Sequence, residues 1–354
     1  MYGDALTDKK PFVVHDWRKD VVTIGEVPPE MVAKATYDQV TDKPWPAQVN
    51  KLVWEKRLAL HRQAKRKPLV LSIGQVVPHE VMGMANFNKN VFVGTGGVQA
   101  INLSHFIGAV HGMEKMMGRA QNPLRDILNY ASQHYLQDQL DLWYFLTVVG
   151  PDTEGLALRG LFVGRDIDCY SQACELSLQV NFTLLDKPLQ KCIVHLDEDE
   201  FHSTWLGNKA IYRTRMAMAD GGTLIILAPG IERFGEDSQV DQLIRQYGYK
   251  GTPTILQHMS ESLALRDNLS AVAHLMHGST EGRFRVVYCP GHLTQKEVED
   301  AGFEYGDLVS MKETYNPTKL KDGWNAIEGE EIFYISNPAL GLWAVPSRFE
   351  NKDE

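Results

Sequence analysis

Short runs of apolar residues, separated by stretches with helical spacing, give this chain its pattern. Most of these runs lack the alternation of apolar and polar residues that marks a half-exposed strand, and continuous runs are typical of parallel strands buried on both faces. The pattern predicts such strands at residues 69–74, 90–97, 143–149, 191–196, 222–229, 283–290 and 331–336.

Helical spacing of apolar residues covers much of the sequence between these strands. It predicts helices at residues 48–66, at residues 98–117 and from Pro123 to about Leu142. Strands that alternate with helices in this way indicate the α/β class, in which helices flank mixed, largely parallel sheets.

The length of 354 residues exceeds what one hydrophobic core usually supports, so we predict two domains. The acidic stretch at residues 197–200 is the predicted junction, with a solvated loop as the alternative interpretation. The division gives a catalytic, cofactor-anchoring domain at residues 1–200 and an α/β domain at residues 201–354, whose last residues could return to the first domain. The active site is then expected in the cleft between the domains.

Charge and cysteine content narrow the classes of function. A formal charge of −9 argues against a general nucleic-acid or membrane-binding surface. The four cysteines show no CxxC pair and no zinc spacing, which predicts structural free thiols in a reducing compartment. Neither a signal-peptide core nor a membrane-length apolar window of about 18 residues occurs. We therefore expect a cytoplasmic protein.

His79 is the first candidate for chemistry. It follows the strand predicted at residues 69–74, and α/β proteins bind ligands just beyond the carboxyl ends of parallel strands. Pro78 fixes the backbone before it, and Gly83 allows a tight path after it. The alternative for a lone histidine in a loop is a structural or solvated side chain.

Lys89 and His105 are the next two candidates. Lys89 lies among uncharged neighbours and is either a surface charge or, if desolvated, a nucleophilic amine. On the helix predicted at residues 98–117, His105 falls opposite the apolar stripe, on the side of Gly108 and Gly112. Because glycines would let a bulky group approach, this position favours a ligand role for His105.

A glycine turn stands between the strand predicted at residues 90–97 and the following helix. Thr95, Gly96 and Gly97 could hold a phosphate at the helix N-terminus. The turn lacks the full GxGxxG fingerprint and the lysine of a P-loop, so a tight structural turn is an equal alternative.

Taken together, the stretch PHEVMGMANFNKNVFVGTGGVQAINLSH resembles the signature of the nickel-dependent lactate racemase family. Its members carry a Pro-His pair, a loop ending in lysine, a turn and a helix ending in histidine, and the spacing of His79, Lys89 and His105 agrees with theirs. The stretches HDWRKDVVTIG and WPAQVNKLV upstream, and KAIYRTRMAMADGGTLIILAPG downstream, also resemble the family. The similarity runs from about residue 12 to beyond residue 230.

The resemblance implies a racemase or epimerase of a 2-hydroxy acid that works by hydride transfer. Its cofactor would be a nickel pincer, the pyridinium-3-thioamide-5-thiocarboxylic acid mononucleotide, tethered to Lys89 through a thioamide. His105 would supply the protein ligand to nickel, His79 would be the general base for the substrate hydroxyl, and Tyr212 would lie beside the substrate. The enzymes that mature the cofactor would be partners of the chain.

The sequence departs from the family before and within the signature. Family members carry a second catalytic histidine in a Gly-Thr-His-Arg stretch and a phosphate-binding arginine in a Thr-Arg-Pro stretch, and neither stretch occurs here. His15 lacks the context to take the histidine's role. Asn86, Phe87 and Asn88 replace the glycines that usually precede the lysine.

Another departure concerns the substrate side of the site. Met216 stands where the family has a lysine one turn after its tyrosine, which leaves Arg213 or Arg215 as the carboxylate clamp. A surface charge is the alternative for Arg213.

These departures leave two other functions open. With one acid–base histidine, the protein could run hydride chemistry in one direction only, as a cofactor-dependent oxidoreductase of a hydroxy acid. Without the N-terminal elements, it could be a degenerate member that binds a nucleotide and catalyses nothing. The remaining histidines are interpreted as structural or solvated, including His274 and His277, with a metal site at His195 and His202 as a minor alternative.

Overall fold

The computed structural model describes residues 12–55, 67–152 and 155–350. The strands are β1 (Val21–Val27), β2 (Trp45–Asn50), β3 (Leu69–Gln75), β4 (Pro78–His79), β5 (Gly83–Met84), β6 (Asp141–Asp152), β7 (Gly155–Gly164), β8 (Phe182–Leu184), β9 (Leu189–His195), β10 (Met218–Ala228), β11 (Arg285–Pro290), β12 (Glu304–Tyr305), β13 (Gly323–Ile327), β14 (Glu330–Ile335) and β15 (Leu342–Ala344).

The helices are α1 (Pro29–Ala35), α2 (Val98–His111), α3 (Met113–Met116), α4 (Pro123–Ala131), α5 (Ile167–Asn181), α6 (Thr204–Gly207), α7 (Lys209–Thr214), α8 (Ser238–Tyr247), α9 (Thr252–Glu261), α10 (Leu263–Arg266), α11 (Leu269–His277), α12 (Gln295–Asp300), α13 (Leu308–Thr314) and α14 (Pro346–Phe349). Two π-helical turns lie at Asn90–Gly94 and Ser132–Leu136.

A six-stranded sheet has the order β12-β11-β10-β9-β14-β13 and is parallel except for the antiparallel pair β13–β14. Successive residues of β10 enter different hydrophobic clusters: Leu224 and Ile226 belong to one, Ile225 and Leu227 to another. Both faces of this strand are therefore buried, which explains its continuous apolar run.

A three-stranded sheet has the order β3-β6-β7, with β3 parallel and β7 antiparallel to β6. On its inner face Tyr144, Leu146 and Val148 are buried in a further hydrophobic cluster. Three smaller pairs complete the sheets: β1–β2 and β4–β5 are antiparallel, and β8–β15 is parallel.

Helix α2 contributes to two hydrophobic clusters. Leu103 and Ile107 belong to the cluster under the three-stranded sheet, whereas Phe106 and Ala109 belong to the cluster beside the six-stranded sheet. A Cβ at Gly108 would lie 2.7 Å from the carbonyl oxygen of Val81, so the backbone that follows His79 occupies this side of the helix. Gly108 thus brings the His79 segment against α2, and the expected space for a bulky group at Gly108 is filled by protein.

The α/β fold class predicted from the sequence is confirmed, with parallel and antiparallel sheets flanked by helices. The strands predicted at residues 143–149, 191–196, 222–229, 283–290 and 331–336 correspond to β6, β9, β10, β11 and β14. Within the described ranges, no helix has the length and apolar character needed to cross a membrane.

Two predicted strands differ from the structure. Residues 90–94 form a π-helical turn, in which the N–H of Thr95 donates to the carbonyl oxygen of Asn90 (2.8 Å), because a short buried apolar run has no periodicity that separates helix from strand. Residues 69–74 do form β3, but Ile73 is 68% exposed, so one face of this strand is exposed and the other is half-buried.

The predicted helices are shorter than expected. Residues 48–50 belong to β2, the helix begins at residue 51, and residues 56–66 of this prediction lie outside the described residues. The helix predicted at residues 98–117 is divided at Gly112, whose φ is 97°. The helix from Pro123 ends at Ala131, and a π-helical turn follows it before β6.

The predicted boundary near residue 200 stays a prediction, as does the cleft between the domains. Strand β9, which ends at His195, pairs with β10 on one side and with β14 on the other. A strand that precedes the acidic stretch is therefore part of the sheet built mainly from residues that follow it.

Candidate active site

His79 lies in the hairpin of β4 and β5, where it pairs with Gly83. Gly83 has a φ of 75°, and a Cβ there would lie 2.0 Å from the carbonyl oxygen of Arg119, so only glycine fits. In this hairpin His79 Nδ1 accepts hydrogen bonds from the backbone N–H groups of Val81 (3.1 Å) and Met82 (3.3 Å). A neutral ring held in this way carries its proton on Nε2.

The surroundings of His79 keep its ring neutral. Burial is the main reason that its pKa falls to about 3; the carboxylate of Glu80 raises the pKa, and the charges of Lys89 and Arg213 lower it. At neutral pH the imidazole therefore offers an Nε2–H donor and carries no charge.

Glu80 is a site residue that the sequence analysis missed. Its Oε2 atom lies 4.0 Å from His79 Nδ1. Burial raises the pKa of its carboxyl, but the neighbouring His79 and Arg213 outweigh burial and lower the pKa well below its usual range. Its carboxylate also raises the pKa of Lys89 and of His105. In the sequence, the feature that could have indicated this residue is a charged side chain directly after His79 in an apolar stretch.

Lys89 precedes the π-helical turn at the end of a strained loop. Asn86 and Phe87 have φ values of 69° and 59°, a left-handed conformation that costs a non-glycine residue about 1–2 kcal/mol. The ring of Phe87 packs against Tyr144 (centroids 4.4 Å apart) and stacks on Tyr170 (5.0 Å), which holds the loop in place. This backbone explains why glycines suit these positions.

Arg125 also holds this loop in place, through hydrogen bonds. Its side chain is fully buried, and Nη2 donates to the carbonyl oxygen of Met84 (2.8 Å) and to the hydroxyl of Tyr170 (2.6 Å). Nη1 donates to the side-chain oxygen of Asn88, the residue before Lys89. The loop that carries the lysine is thus fixed by a buried cation on one side and an aromatic cluster on the other.

The surroundings of Lys89 lower the pKa of its amine. Burial is the main cause that lowers its pKa, and Arg125 lowers it further, while Glu80 opposes both. A lower pKa increases the fraction of neutral amine at a given pH, and only the neutral amine is a nucleophile.

His105 lies on α2 with one ring nitrogen engaged. Its Nδ1 is 2.7 Å from the carbonyl oxygen of Ile101, and because a carbonyl only accepts, Nδ1 carries the proton. The Nε2 lone pair is then directed away from the helix backbone and is available to a ligand. Burial lowers the pKa of His105, which favours the neutral form that binds metals.

His79, Lys89 and His105 share one neighbourhood. Lys89 and His105 each lower the pKa of His79, and Lys89 also lowers that of His105. The three residues and Glu80 thus influence one another electrostatically, while their meeting at one site and their individual roles stay predictions.

Arg213 on α7 reaches the same neighbourhood. It is 3% exposed, its pKa is lowered by burial and raised by Glu80, and its Nη2 donates to the carbonyl oxygen of Ala339 (3.4 Å). Its Nε and Nη1 atoms are buried and have no hydrogen-bond partner among the described residues. Arg215, the other candidate clamp, donates instead to Glu114 and to the carbonyl oxygen of His277.

Tyr212 is part of a buried hydrogen-bond chain. Its hydroxyl lies 2.8 Å from His274 Nδ1, the opposite nitrogen Nε2 lies 2.8 Å from the hydroxyl of Tyr249, and that hydroxyl lies 2.9 Å from Thr204 Oγ1. Trp205 stacks on the imidazole with ring centroids 4.4 Å apart. Burial raises the pKa of Tyr212 well above its usual value and lowers that of His274 to about 3, so both groups are neutral.

The glycine turn is packed against protein. A Cβ at Gly96 would lie 1.8 Å from the carbonyl oxygen of Phe92, and one at Gly97 would lie 2.4 Å from Gln48 Oε1. Thr95 Oγ1 donates to the carbonyl oxygen of Val91 (2.9 Å). These contacts account for the two glycines without a ligand, and the cofactor role of Thr95, Gly96 and Gly97 stays a prediction. His15 Nε2, 2.9 Å from the carbonyl oxygen of Gly96, helps to hold the turn.

A cavity of about 360 Å³ opens beside His105. This volume lies within the range of about 300–1,000 Å³ that is usual for small-molecule sites. The cavity lining does not include His79, Lys89 or Arg213; it consists of Trp17, Arg18, Val98, Ile101, Asn102, His105, Trp205, Glu236, Asp237, Gln239, Val240, Asp267, Asn268 and Ser270.

The other histidines form no metal centre of their own. In the part of the chain that the structure describes, no group of three or more His, Cys, Asp and Glu side chains could hold a metal ion. His274 and His277, interpreted from the sequence as ordinary helix or loop residues, are both buried, and His277 Nε2 has no partner among the described residues.

Comparisons with known proteins give a fold and no sequence family. No protein-family model matches the chain, and no curated protein does either. A crystal structure of a protein from Thermotoga maritima superposes with a TM-score of 0.77 at 22% identity, covering 94% of this chain and 77% of that one. The lactate racemase apoprotein from Thermoanaerobacterium thermosaccharolyticum superposes with a TM-score of 0.69 at 17% identity, covering 96% and 73%. The chain therefore has a lactate racemase-like fold.

Proposed function

We propose that this protein is an isomerase that racemises or epimerises a 2-hydroxy acid with the help of a nickel-pincer mononucleotide. The observation that carries the proposal is that one half-buried carboxylate, Glu80, raises the pKa values of His79, Lys89 and His105 alike. Support also comes from the fold, which resembles that of the lactate racemase apoprotein. When bound, the cofactor would supply a reversible acceptor for the hydride on the carbinol carbon of the substrate.

The residues present fit such a group. Lys89 has the lowered pKa that an amine needs to form a covalent thioamide link, and its loop is fixed by Phe87 and Arg125. His105 keeps Nε2 free, and a neutral imidazole is a good ligand for nickel. The cavity beside His105 contains one cation, Arg18, but Arg18 pairs with Asp237 (3.5 Å) beside Glu236 and Asp267, so it does not supply the missing phosphate partner.

Arg213 would bind the carboxylate of the substrate. A buried guanidinium with two unpartnered nitrogen atoms has an unmet demand for an acceptor, and a carboxylate meets it with charge-assisted hydrogen bonds. The carboxylate of Glu80 raises the pKa of Arg213 and so favours its charged form. A monoanionic substrate would then add one negative charge beside the guanidinium of Arg213.

His79 would act on the hydroxyl of the substrate. The hydrogen bonds to Nδ1 leave the proton on Nε2, so the resting ring is a donor toward a substrate oxygen. The general-base role predicted from the resemblance requires the other tautomer, in which Nδ1 carries the proton. In that tautomer Nδ1 loses its hydrogen bonds from the backbone N–H groups of Val81 and Met82. We therefore infer that His79 first orients the substrate oxygen by donation and accepts the hydroxyl proton only after the ring exchanges its tautomer.

Tyr212 would support the opposite side of the substrate. Its hydroxyl is fixed by His274, which Tyr249 and Trp205 hold in turn. A neutral, pre-oriented hydroxyl can donate to or accept from a substrate oxygen without the cost of turning. His274 is thus a positioning residue for Tyr212.

The test uses the protein co-expressed with the cofactor-making enzymes and incubated with single enantiomers of 2-hydroxy acids that carry deuterium on the carbinol carbon. Chiral chromatography with mass detection should show the opposite configuration with the deuterium retained, because the hydride returns to the same carbon. Loss of deuterium to solvent would indicate proton abstraction and contradict the proposal. Accumulation of a 2-keto acid without inversion would favour the oxidoreductase alternative.

A further inference from the structure

The outer face of the three-stranded sheet is apolar and open. Eight large apolar residues on this face are at least 36% exposed, and Ile73 and Leu156 reach 68% and 67%. The outer face is defined here by Leu69, Leu71, Ile73, Trp143, Leu156, Leu158, Leu161 and Val163.

These residues form one continuous surface across all three strands. Leu71 pairs with Trp143 across β3 and β6, and Ile73 pairs with Phe145. Phe145 pairs in turn with Val163 of β7. Because paired residues on adjacent strands point to the same side of a sheet, the row from Ile73 through Phe145 to Val163 is apolar from one edge to the other.

The area of the outer face is that of a protein interface. With roughly 200 Å² for a fully exposed large apolar residue, the exposed fractions of the eight residues amount to roughly 900 Å². The largest apolar patch on a typical monomer is about 300–600 Å², whereas each partner of a standard interface buries about 800 Å². The outer face thus exceeds the first range and matches the second.

The charge of the molecule selects the kind of partner. A formal charge of −9 disfavours an anionic lipid surface. At one end of the outer face, Arg165 and Asp141 form an ion pair of 3.1 Å, so this rim offers both signs of charge. A surface that is apolar in its centre and carries both charges at its rim is complementary to a copy of itself related by a two-fold axis.

We propose that the outer face is the interface of a homodimer, in which the sheets of two copies stack face to face. Sheets that pack in this way lie about 10 Å apart, and apolar side chains of both faces fill the space between them. The inference does not depend on the proposed catalytic function, since it rests only on exposure and strand register.

The experiment is sedimentation velocity on the full chain over a hundredfold range of concentration, with two variants in the outer face, Ile73→Lys and Leu161→Lys. Leu263→Lys is the matched control, because Leu263 is 69% exposed on α10, away from the outer face. Each test variant should weaken dimerisation at least about a hundredfold, since it places an unpaired charge in an apolar interface, and the control should sediment as wild type.

Two results would overturn the proposal: a wild-type protein that is monomeric at all concentrations, or dimers that persist in both outer-face variants. Circular dichroism shows whether each variant is folded; if one is not, the other decides. If the wild type is monomeric but floats with vesicles of neutral phosphatidylcholine, the face binds lipid and the dimer is wrong.

Discussion

The Nδ1 atom of His105 lies 2.7 Å from the carbonyl oxygen of Ile101, four residues earlier on the same helix. This single hydrogen bond fixes the proton on Nδ1 and leaves the Nε2 lone pair free. An imidazole oriented by its own helix needs no reorganisation to accept a metal ion, and partners of this kind raise the basicity of the ligating nitrogen.

Replacement of His105 should therefore abolish metal binding without unfolding the protein. His105→Ala, made in the presence of the cofactor-making enzymes, should retain less than about a tenth of the wild-type nickel, since second-shell changes alone cost 10–100-fold in metal affinity and loss of the ligand costs more. Nickel per chain is measured by inductively coupled plasma mass spectrometry. His134→Ala, at an exposed position, is the control, and equal nickel in both variants would remove His105 from the site.

Substitutions of Arg213 and Glu80 should be coupled in their effect on the free energy of unfolding but not in their effect on activity. Arg213→Gln removes one of the positive charges near the half-buried Glu80, and we expect the free energy of unfolding to fall by about 1–3 kcal/mol. The double variant Arg213→Gln/Glu80→Gln removes the unpaired carboxylate and should recover most of this stability.

Activity should not recover in the double variant, because the substrate carboxylate has lost its clamp. We expect kcat/KM to remain at least about a hundredfold below wild type in both variants, with a raised KM. Urea unfolding and steady-state kinetics on the same samples check the two effects. Full activity of the double variant would show that Arg213 is only the structural partner of Glu80.

The loop before Lys89 should prefer glycine to alanine at position 87. Phe87→Ala and Phe87→Gly both lose the ring contacts with Tyr144 and Tyr170, at a cost of about 3–5 kcal/mol. Only glycine relieves the left-handed backbone with its φ of 59°, so Phe87→Gly should be more stable than Phe87→Ala by about 0.5–1 kcal/mol. Thermal or urea unfolding of the pair measures this difference, and the opposite order would mean that the backbone is unstrained.

The free energy of unfolding should decrease as the pH falls, because buried histidines resist protonation in the folded protein. The pKa values of His79, His274 and His277 are lowered to about 3, whereas an unfolded histidine titrates near pH 6.5. Between these two values the unfolded chain binds protons that the folded chain does not. The free energy of unfolding then decreases with falling pH, by up to about 1.4 kcal/mol per pH unit for each histidine.

A variant separates this effect from that of the carboxylates. His274→Gln should make the slope between pH 6 and pH 4 smaller by up to about 1.4 kcal/mol per pH unit, whatever its stability at pH 7. Urea unfolding at several pH values provides the slopes. Parallel curves for wild type and variant would show that His274 is protonated as easily in the folded protein as in the unfolded one.

The sequence predicted the fold class, but it left the local backbone open. The spacing of His79, Lys89 and His105 pointed to one site; in the structure the three residues influence one another electrostatically, and their meeting at one cavity stays a prediction. The apolar run at residues 90–94 contains the same residue types in a π-helical turn as it would in a strand, so composition could not separate them. The exposure of β3 depends on what covers the sheet, which no local pattern records.

Other features required three-dimensional contacts. Glu80 directly follows His79 in the sequence, but only the structure shows that Arg213 of α7 lowers the pKa of its carboxyl. The chain from Tyr212 through His274 joins residues 62 positions apart, and neither residue type signals such a partner in the sequence. The left-handed backbone at Phe87 could be suspected from the glycines of the resembling family, but not its stabilisation by an aromatic stack.

The measurement that tests the central claim most directly is peptide-mapping mass spectrometry of the protein co-expressed with the cofactor-making enzymes. The account predicts that the peptide containing Lys89 carries a covalent adduct of mononucleotide mass, that Lys89→Ala lacks it, and that the exposed-site control Lys34→Ala retains it. An unmodified Lys89 in protein that nevertheless interconverts the enantiomers of a 2-hydroxy acid would contradict the account.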